Sequence, residues 1–287
     1  MKGNPIGLSS FVIASPFRDA SLKALGLYRD MGYDLVEVCL EDEEDVTPEA
    51  LVEGLHSTGL SASVGGVFGD SRDMSHEDPE VRRNARAYLT KCIEFAHAVG
   101  ATVVSGPMYA AIGRTQLLDP AARLAQRMRA VEALKEVADV AAERGVSLSI
   151  EPLNRFETDL VNTVEQGLEL CDLIGAPNVG LTLDTFHMNI EERDLPDAIR
   201  SAGARLVSFQ ASENDRGTPG SGHVDWSGVF AALAEIDYSG PVIVESFDAD
   251  SADIARAVSL WRPTAQSMDD LARLGAQFLR QNLARPA

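Results

Sequence analysis

Short apolar runs and longer amphipathic stretches alternate along the chain. Runs rich in β-formers fall at 6–14, 34–40, 61–66, 102–107, 147–152, 179–184, 206–211 and 241–246. Between them lie patterns such as 120–145, with apolar residues three and four apart, the spacing of a helix with one buried face. Glycine and proline punctuate the joints: Gly145 closes one helical stretch and Gly175-Ala176-Pro177 another. The pattern predicts eight strands and eight helices in alternation, which implies parallel pairing. Eight such units in 287 residues point to an α/β protein, a (β/α)8 TIM barrel forming a single domain over 1–287. An open doubly wound sheet would carry a glycine fingerprint after its first strand, where this chain has Ser15-Pro16-Phe17. There is no low-complexity segment and no linker.

In such a barrel the chemistry sits where the strands end at their C-terminal side. The second strand carries Glu37; the fifth ends on Glu151, the sixth on Asp184 with His187 beyond it, the seventh on Gln210 and the eighth on Glu245. Glu151, Asp184 and Glu245 occupy matching positions after runs buried on both faces. Three carboxylates brought together there repel one another and are costly to desolvate, and a divalent cation is the simplest resolution. Helix capping or an arginine partner would account for one such residue more readily than for three. If a metal lies there, Gln210 is the side chain of the seventh strand placed to reach it. That strand opens 206-LVSFQASENDRG-217, whose Glu213, Asn214, Asp215 and Arg216 are side chains suited to a sugar.

Composition narrows the partners. With 44 acidic against 25 basic residues the formal net charge is −19, which repels phosphate backbones and anionic membrane surfaces. A nucleic-acid enzyme and a membrane protein are thereby disfavoured, and no apolar run approaches the roughly 20 residues that span a bilayer. The stretch 6–14 is read as a first strand and not as a signal peptide. The acidic run 41-EDEEDVTPE-49 reads as a solvated loop leading into a helix. Cys39, Cys92 and Cys171 are far apart in apolar segments, an odd set that reads as buried thiols of a cytoplasmic protein.

Two stretches, 147-SLSIEPLNRFETDLVNT-163 and 181-LTLDTFHMNIEE-192, resemble the ketose 3-epimerases, the D-tagatose and D-allulose (psicose) 3-epimerase group of the xylose-isomerase-like TIM barrel superfamily. The likeness extends to 213-ENDRGTPGSGHVDW-226, 241-PVIVESF-247 and 257-AVSLWRP-263, and is weakest in the N-terminal third. It implies a divalent cation, Mn2+ first and Co2+ or Mg2+ otherwise, held by Glu151, Asp184, Gln210 and Glu245. The group has histidine at the third of these positions, so Gln210 is a departure. An amide oxygen still completes a hard-cation site, whereas a glutamine bonded locally would leave three ligands or none. The resemblance also makes Glu151 and Glu245 the acid and base that move a proton at C3 through a metal-stabilised cis-enediolate. Glu157, His187 and Arg216 become contacts to sugar oxygens, and Phe247 walls the apolar side.

Each assignment has a plainer counterpart: Glu157 paired with Arg155, His187 as a structural hydrogen-bonder, Arg216 in a loop salt bridge. Trp226 and Trp261 read as packing residues. His56, His76 and His97 read as surface or core histidines, and His223 has no assigned role. The segment 105-SGPMYAAIGR-114 is expected to line the pocket, with Met108, Tyr109 and Arg114 setting specificity. Arg216 and Arg114 are the only cations expected near the substrate, which favours neutral sugars. Other outcomes are an aldose–ketose or hydroxypyruvate-type isomerase, a lyase or dehydratase acting on a 3-keto sugar or keto acid with the same metal site, or a sugar-binding protein with a dead site. The resemblance further implies a homodimer or homotetramer.

Overall fold

Eight parallel strands, each paired only with its sequence neighbours and the last with the first, close a barrel. The structure, a computed structural model, describes residues 3–42 and 44–283. Met1, Lys2 and 284–287 of the expected domain, and Glu43 of the acidic run, lie outside the described residues. The strands are β1 Ile6–Ser9, β2 Leu35–Leu40, β3 Ser61–Gly66, β4 Val103–Gly106, β5 Ser147–Ile150, β6 Val179–Asp184, β7 Leu206–Ala211 and β8 Val242–Val244. β2 and β6 are buried at every position, because barrel interior and helix layer cover both faces.

The helices are α1 Leu25–Met31, α2 Pro48–Thr58, α3 Pro79–Ala98, α4 Pro120–Glu143, α5 Val164–Ile174, α6 Thr185–Glu191, α7 Leu195–Ala202, α8 Trp226–Glu235, α9 Ala252–Ala257 and α10 Met268–Leu283. Local chemistry sets their ends. Asp78 and Asp119 cap α3 and α4, each followed by proline at the first helical turn. Thr163 and Gln166 form a reciprocal capping box on α5, and Gly175 closes that helix in the left-handed region.

Two expectations need correction. The first strand ends at Ser9 and not at residue 14. Ser9 Oγ accepts from Phe11 N and Ser10 Oγ accepts from Cys39 N at 2.9 Å, so hydroxyls replace ladder bonds and a 3-10 turn, Ser10–Val12, begins there. The eightfold alternation holds, but the connections after β6 and β8 each carry two helices in place of one.

Strand pairing positions the site. Between β6 and β7 the register shifts by one residue, so that Leu181 pairs with Leu206 but Thr182 pairs with Ser208. That shift sets Gln210 opposite Asp184. Without it Phe209 would stand there and the amide would point out of the barrel, because a one-residue slip exchanges the faces of a strand.

Candidate active site

Glu151 lies just past β5, Asp184 at the end of β6, Gln210 in β7 and Glu245 just past β8, all buried at one mouth of the barrel. Glu37, from β2, is buried below them. One pocket gathers Glu37, Glu151, Glu157, His187, Gln210, Arg216, Glu245 and Phe247. Phe11, Val67, Ile112, Ile254 and Val258 form its apolar wall.

Arg216 is the cation at the centre. Its Nη1 donates to Asp184 Oδ2 at 2.5 Å, Glu245 Oε2 at 2.9 Å and Ser212 Oγ at 3.0 Å. Its guanidinium lies over the rings of Phe186 and Phe247, 4.0 and 4.9 Å from their centroids. The backbone of Arg216 has φ 64°, a left-handed conformation that costs a non-glycine residue about 1–3 kcal/mol. The hydroxyls of Ser246 and Thr264 hold it by donating to Arg216 O at 2.6 and 3.1 Å.

His187 is oriented from behind. The peptide N–H of Asn154 donates to Nδ1 at 3.1 Å, and across the ring Nε2 lies 3.1 Å from Arg216 Nη2. Nε2 faces the carboxylates, 3.5 Å from Glu151 Oε1 and 3.8 Å from Asp184 Oδ2. Asn154 also donates from Nδ2 to Glu157 Oε1 at 2.8 Å. Arg155, the alternative partner of Glu157, is instead bonded to Glu191 at 2.9 and 3.0 Å.

The electrostatics separate the carboxyls. Burial, reinforced by Glu245 and Asp184, pushes Glu151 well above the ordinary range. Burial does the same to Glu245, against the pull of Arg216. Burial also opposes the charge on Asp184, but Arg216, helped by the Phe186 N–H, outweighs it and holds this carboxyl low. Burial lowers His187 and keeps the imidazole neutral.

A cation fits this donor set. Glu151, Asp184 and His187 each offer a ligand atom, all within 4.8 Å of one another. Gln210 Oε1 is buried and has no hydrogen-bond partner among the described residues, an atom left over for an electrophile. Asp184 also does the plainer work of a cap: Oδ1 accepts from Phe186 N at the start of α6, and Oδ2 is left for the pocket.

Several expected contributors lie elsewhere. Arg114 donates to Asp73 at 2.6 Å, Ser75 at 2.8 Å and Asp159 at 3.3 Å, outside the pocket lining. Met108 and Tyr109 are fully buried, and the segment contributes Ser105, Gly106, Pro107 and Ile112 to the pocket instead. Of the polar run after β7 only Arg216 enters. Glu213 turns away to accept from Asn214 N, Gly220 N, Val224 N and Trp226 Nε1. Asn214 accepts from His223 N, and Asp215 pairs with Arg262. Trp226 packs with Phe230 and Phe278 as expected, but Trp261 is 77% exposed. Asn154, the residue the sequence reading passed over, stands within the quoted 147–163 stretch; no local signal separates its role from that of any loop asparagine.

The chain matches the family described as Xylose isomerase-like TIM barrel over residues 25–281. The L-ribulose 3-epimerase of Methylomonas sp. is 33% identical over 261 residues, 90% of this chain and 90% of the other. The ketose 3-epimerase of Arthrobacter globiformis is 35% identical over 257 residues, 89% and 88% of the two chains. Among solved structures, the D-allulose 3-epimerase from Methylomonas sp. superposes with a TM-score of 0.92 at 32% identity, covering 98% of this chain and 99% of that one. Matched along nearly its whole length in sequence and in fold, the chain belongs to the xylose isomerase-like TIM barrel family and, within it, to the ketose 3-epimerase group of isomerase-class enzymes.

Proposed function

We propose that the protein interconverts free ketoses epimeric at C3, with Glu151 and Glu245 as acid and base and a divalent cation held by Glu151, Asp184, Gln210 and Glu245. The observation that carries the reading is the pair of buried carboxyls, Glu151 and Glu245, in one pocket with Arg216 and His187. A cation bound there supplies electrophilic pull on the C2 carbonyl and offsets the charge that builds on its oxygen. One glutamate takes the C3 proton as the C–H electron pair moves into a C2–C3 double bond, giving the enediolate. The other returns a proton to the opposite face of C3. A carboxylate that also binds a cation is a weak base, and burial offsets this by raising proton affinity.

Arg216 and His187 contact the O1–O3 oxygens, Glu157 accepts from hydroxyls near C1 and C2, and Phe247 covers the apolar side. In this reading Gln210 Oε1 would join the three carboxylates around the cation, and His187 would serve as a sugar contact. Three carboxylates and an amide oxygen favour a hard ion, so Mn2+ is put first, Mg2+ next and Co2+ last. The buried thiols suit a reducing, cytoplasmic compartment, and among the described residues no helix is long and apolar enough to cross a membrane. Exposed Leu117 and Phe156 flank the bridge between Arg114 and Thr158 and suit contact between copies in a homodimer or homotetramer.

The resemblance sets Gln210 where the group has histidine, and this departure favours a second reading, an isomerase or a lyase on a 3-keto sugar. The 3-dehydro-D-guloside 4-epimerase of Escherichia coli is 26% identical over 80% of this chain. Against a carboxylated substrate, Arg216 is already shared by two carboxylates and Arg114 lies outside the pocket. Incubation with Mn2+ and a panel of ketoses in D2O separates the readings. Deuterium at C3 with the other epimer supports epimerisation. Deuterium at C1 or C2 with an aldose marks an isomerase, and exchange at no carbon rules out free ketoses.

A further inference from the structure

We propose that Glu37, steadied by Ser105, is a positioning residue that fixes the side-chain amide of Gln210 with its oxygen toward the bound cation. The inference rests on the metal reading above. Gln210 Nε2 donates to Glu37 Oε2 at 3.0 Å and to Glu245 Oε1 at 3.2 Å. Both amide hydrogens therefore have a carboxylate acceptor, and Oε1 is the atom left without one among the described residues. The flipped amide would set its oxygen about 3 Å from two carboxyl oxygens, and with Glu245 ionised, as a cation ligand must be, no proton would lie between the amide oxygen and that carboxylate, so donor and acceptor chemistry selects one orientation.

Glu37 reaches this position from across the barrel. β2 and β7 are not neighbours; β8 and β1 lie between them. The side chain crosses the interior, buried, and its other oxygen accepts from Ser105 Oγ at 2.7 Å. That hydroxyl also lies 3.2 Å from Val64 O, which sets it between two strands. A buried carboxylate here has no role in capping a helix and pairs with no arginine among its hydrogen bonds. It does for an amide what a carboxylate behind a ligating histidine does for an imidazole. It orients the ligand and, by accepting its hydrogens, shifts electron density onto the donor atom.

Mn2+ binding to the intact protein tests this, read from the EPR signal of unbound Mn2+ in titrations of wild type, Glu37→Leu, Gln210→Leu and the double variant. The expected result is a loss of about 10- to 100-fold in affinity for Glu37→Leu. The double variant should bind no more than about twofold more weakly than Gln210→Leu alone, because the two residues act as one unit. The line shape of bound Mn2+ should change in the same way for Glu37→Leu and Gln210→Leu. Glu37→Gln, which keeps the shape and loses the charge, serves if the leucine variant does not fold, and should lose about 10-fold.

Unchanged affinity in the Glu37 variants overturns the inference. So does a Glu37 loss that recurs in full without Gln210, since that marks a general charge effect. Full affinity in Gln210→Leu removes Gln210 as a ligand and the inference with it. A wild type that binds no divalent ion sinks the metal reading itself.

Discussion

Two clusters of buried charge lie within this barrel and obey different rules. Behind the mouth, Asp73 and Asp159 hold Arg114, and each of their four carboxylate oxygens has a donor. Ser75 N and Oγ, Arg114, Gln126 Nε2 and Gln116 N supply them at 2.6–3.3 Å. At the mouth, Asp184, Glu245, Glu157 and Glu151 share the single guanidinium of Arg216, and Glu37 lines the same pocket. The Glu151 carboxylate makes no hydrogen bond among the described residues, and His187 Nε2 stands 3.5 Å off. In the first cluster every carboxylate oxygen is met from within, although Arg114 Nε and Gln126 Oε1 are buried without a partner among the described residues. The second has an excess of negative charge and an orphaned amide oxygen, and it is completed only by something that binds. The same residue types therefore build either a joint or a site, depending on whether their hydrogen bonds close internally.

The largest expected effect falls on the incomplete cluster. Glu245→Gln should lower the rate of C3 exchange by about 10²–10⁴-fold. It should leave the fold intact, because it removes a buried charge that nothing fully compensates. Exchange assays beside thermal melts check both halves; a variant that loses stability and keeps activity would break the comparison. The reverse is expected behind the mouth. Asp159→Ala leaves Arg114 with one carboxylate fewer and should destabilise the protein by about 3–5 kcal/mol. The urea midpoint reads that loss, while turnover of folded enzyme at low temperature should stay close to wild type.

Metal removal sharpens the contrast further. A cation present at 100 times its dissociation constant adds about 2.7 kcal/mol to stability. Chelation should therefore lower the melting temperature of wild type and of Asp159→Ala alike, and should do little to Asp184→Asn. Equal shifts in all three would place the cation away from the four strand ends.

Much of this was legible in the sequence, for a physical reason. Strands buried on both faces read as continuous apolar runs, and barrel topology then brings Glu151, Asp184, Gln210 and Glu245 to one mouth. Position along a strand is local information. What was not legible depends on pairing. The register shift that turns Gln210 inward, the reach of Glu37 across the interior, and the capture of Arg114 by Asp73 and Asp159 each join residues more than 25 apart in the chain. Ser9 and Ser10 ended β1 early through side-chain hydrogen bonds that a β-rich pattern does not reveal.

Glu213 tests whether closure of hydrogen bonds, rather than nearness to the site, decides on which side of the comparison a residue falls. It lies three residues from Gln210, is fully buried and sits beside the pocket loop, yet it resembles Asp159 in its bonding. Burial alone would raise its carboxyl; the Trp226 indole and the amides of Val224, Asn214 and Gly220 outweigh that and hold it below the ordinary value. A carboxyl lowered by folding stabilises above its unfolded pKa of about 4.3 and loses that contribution as pH falls through the folded value. Glu213→Gln should therefore cost about 1 kcal/mol at pH 7, the net worth of a hydrogen bond or so. The gap from wild type should narrow as pH falls below the unfolded value and close only once it passes the lower, folded one, where both chains carry a neutral side chain. Urea unfolding at several pH values measures it. A gap that persists in acid would mean that Glu213 works through shape and not charge, and would move it out of the class that Asp159 represents.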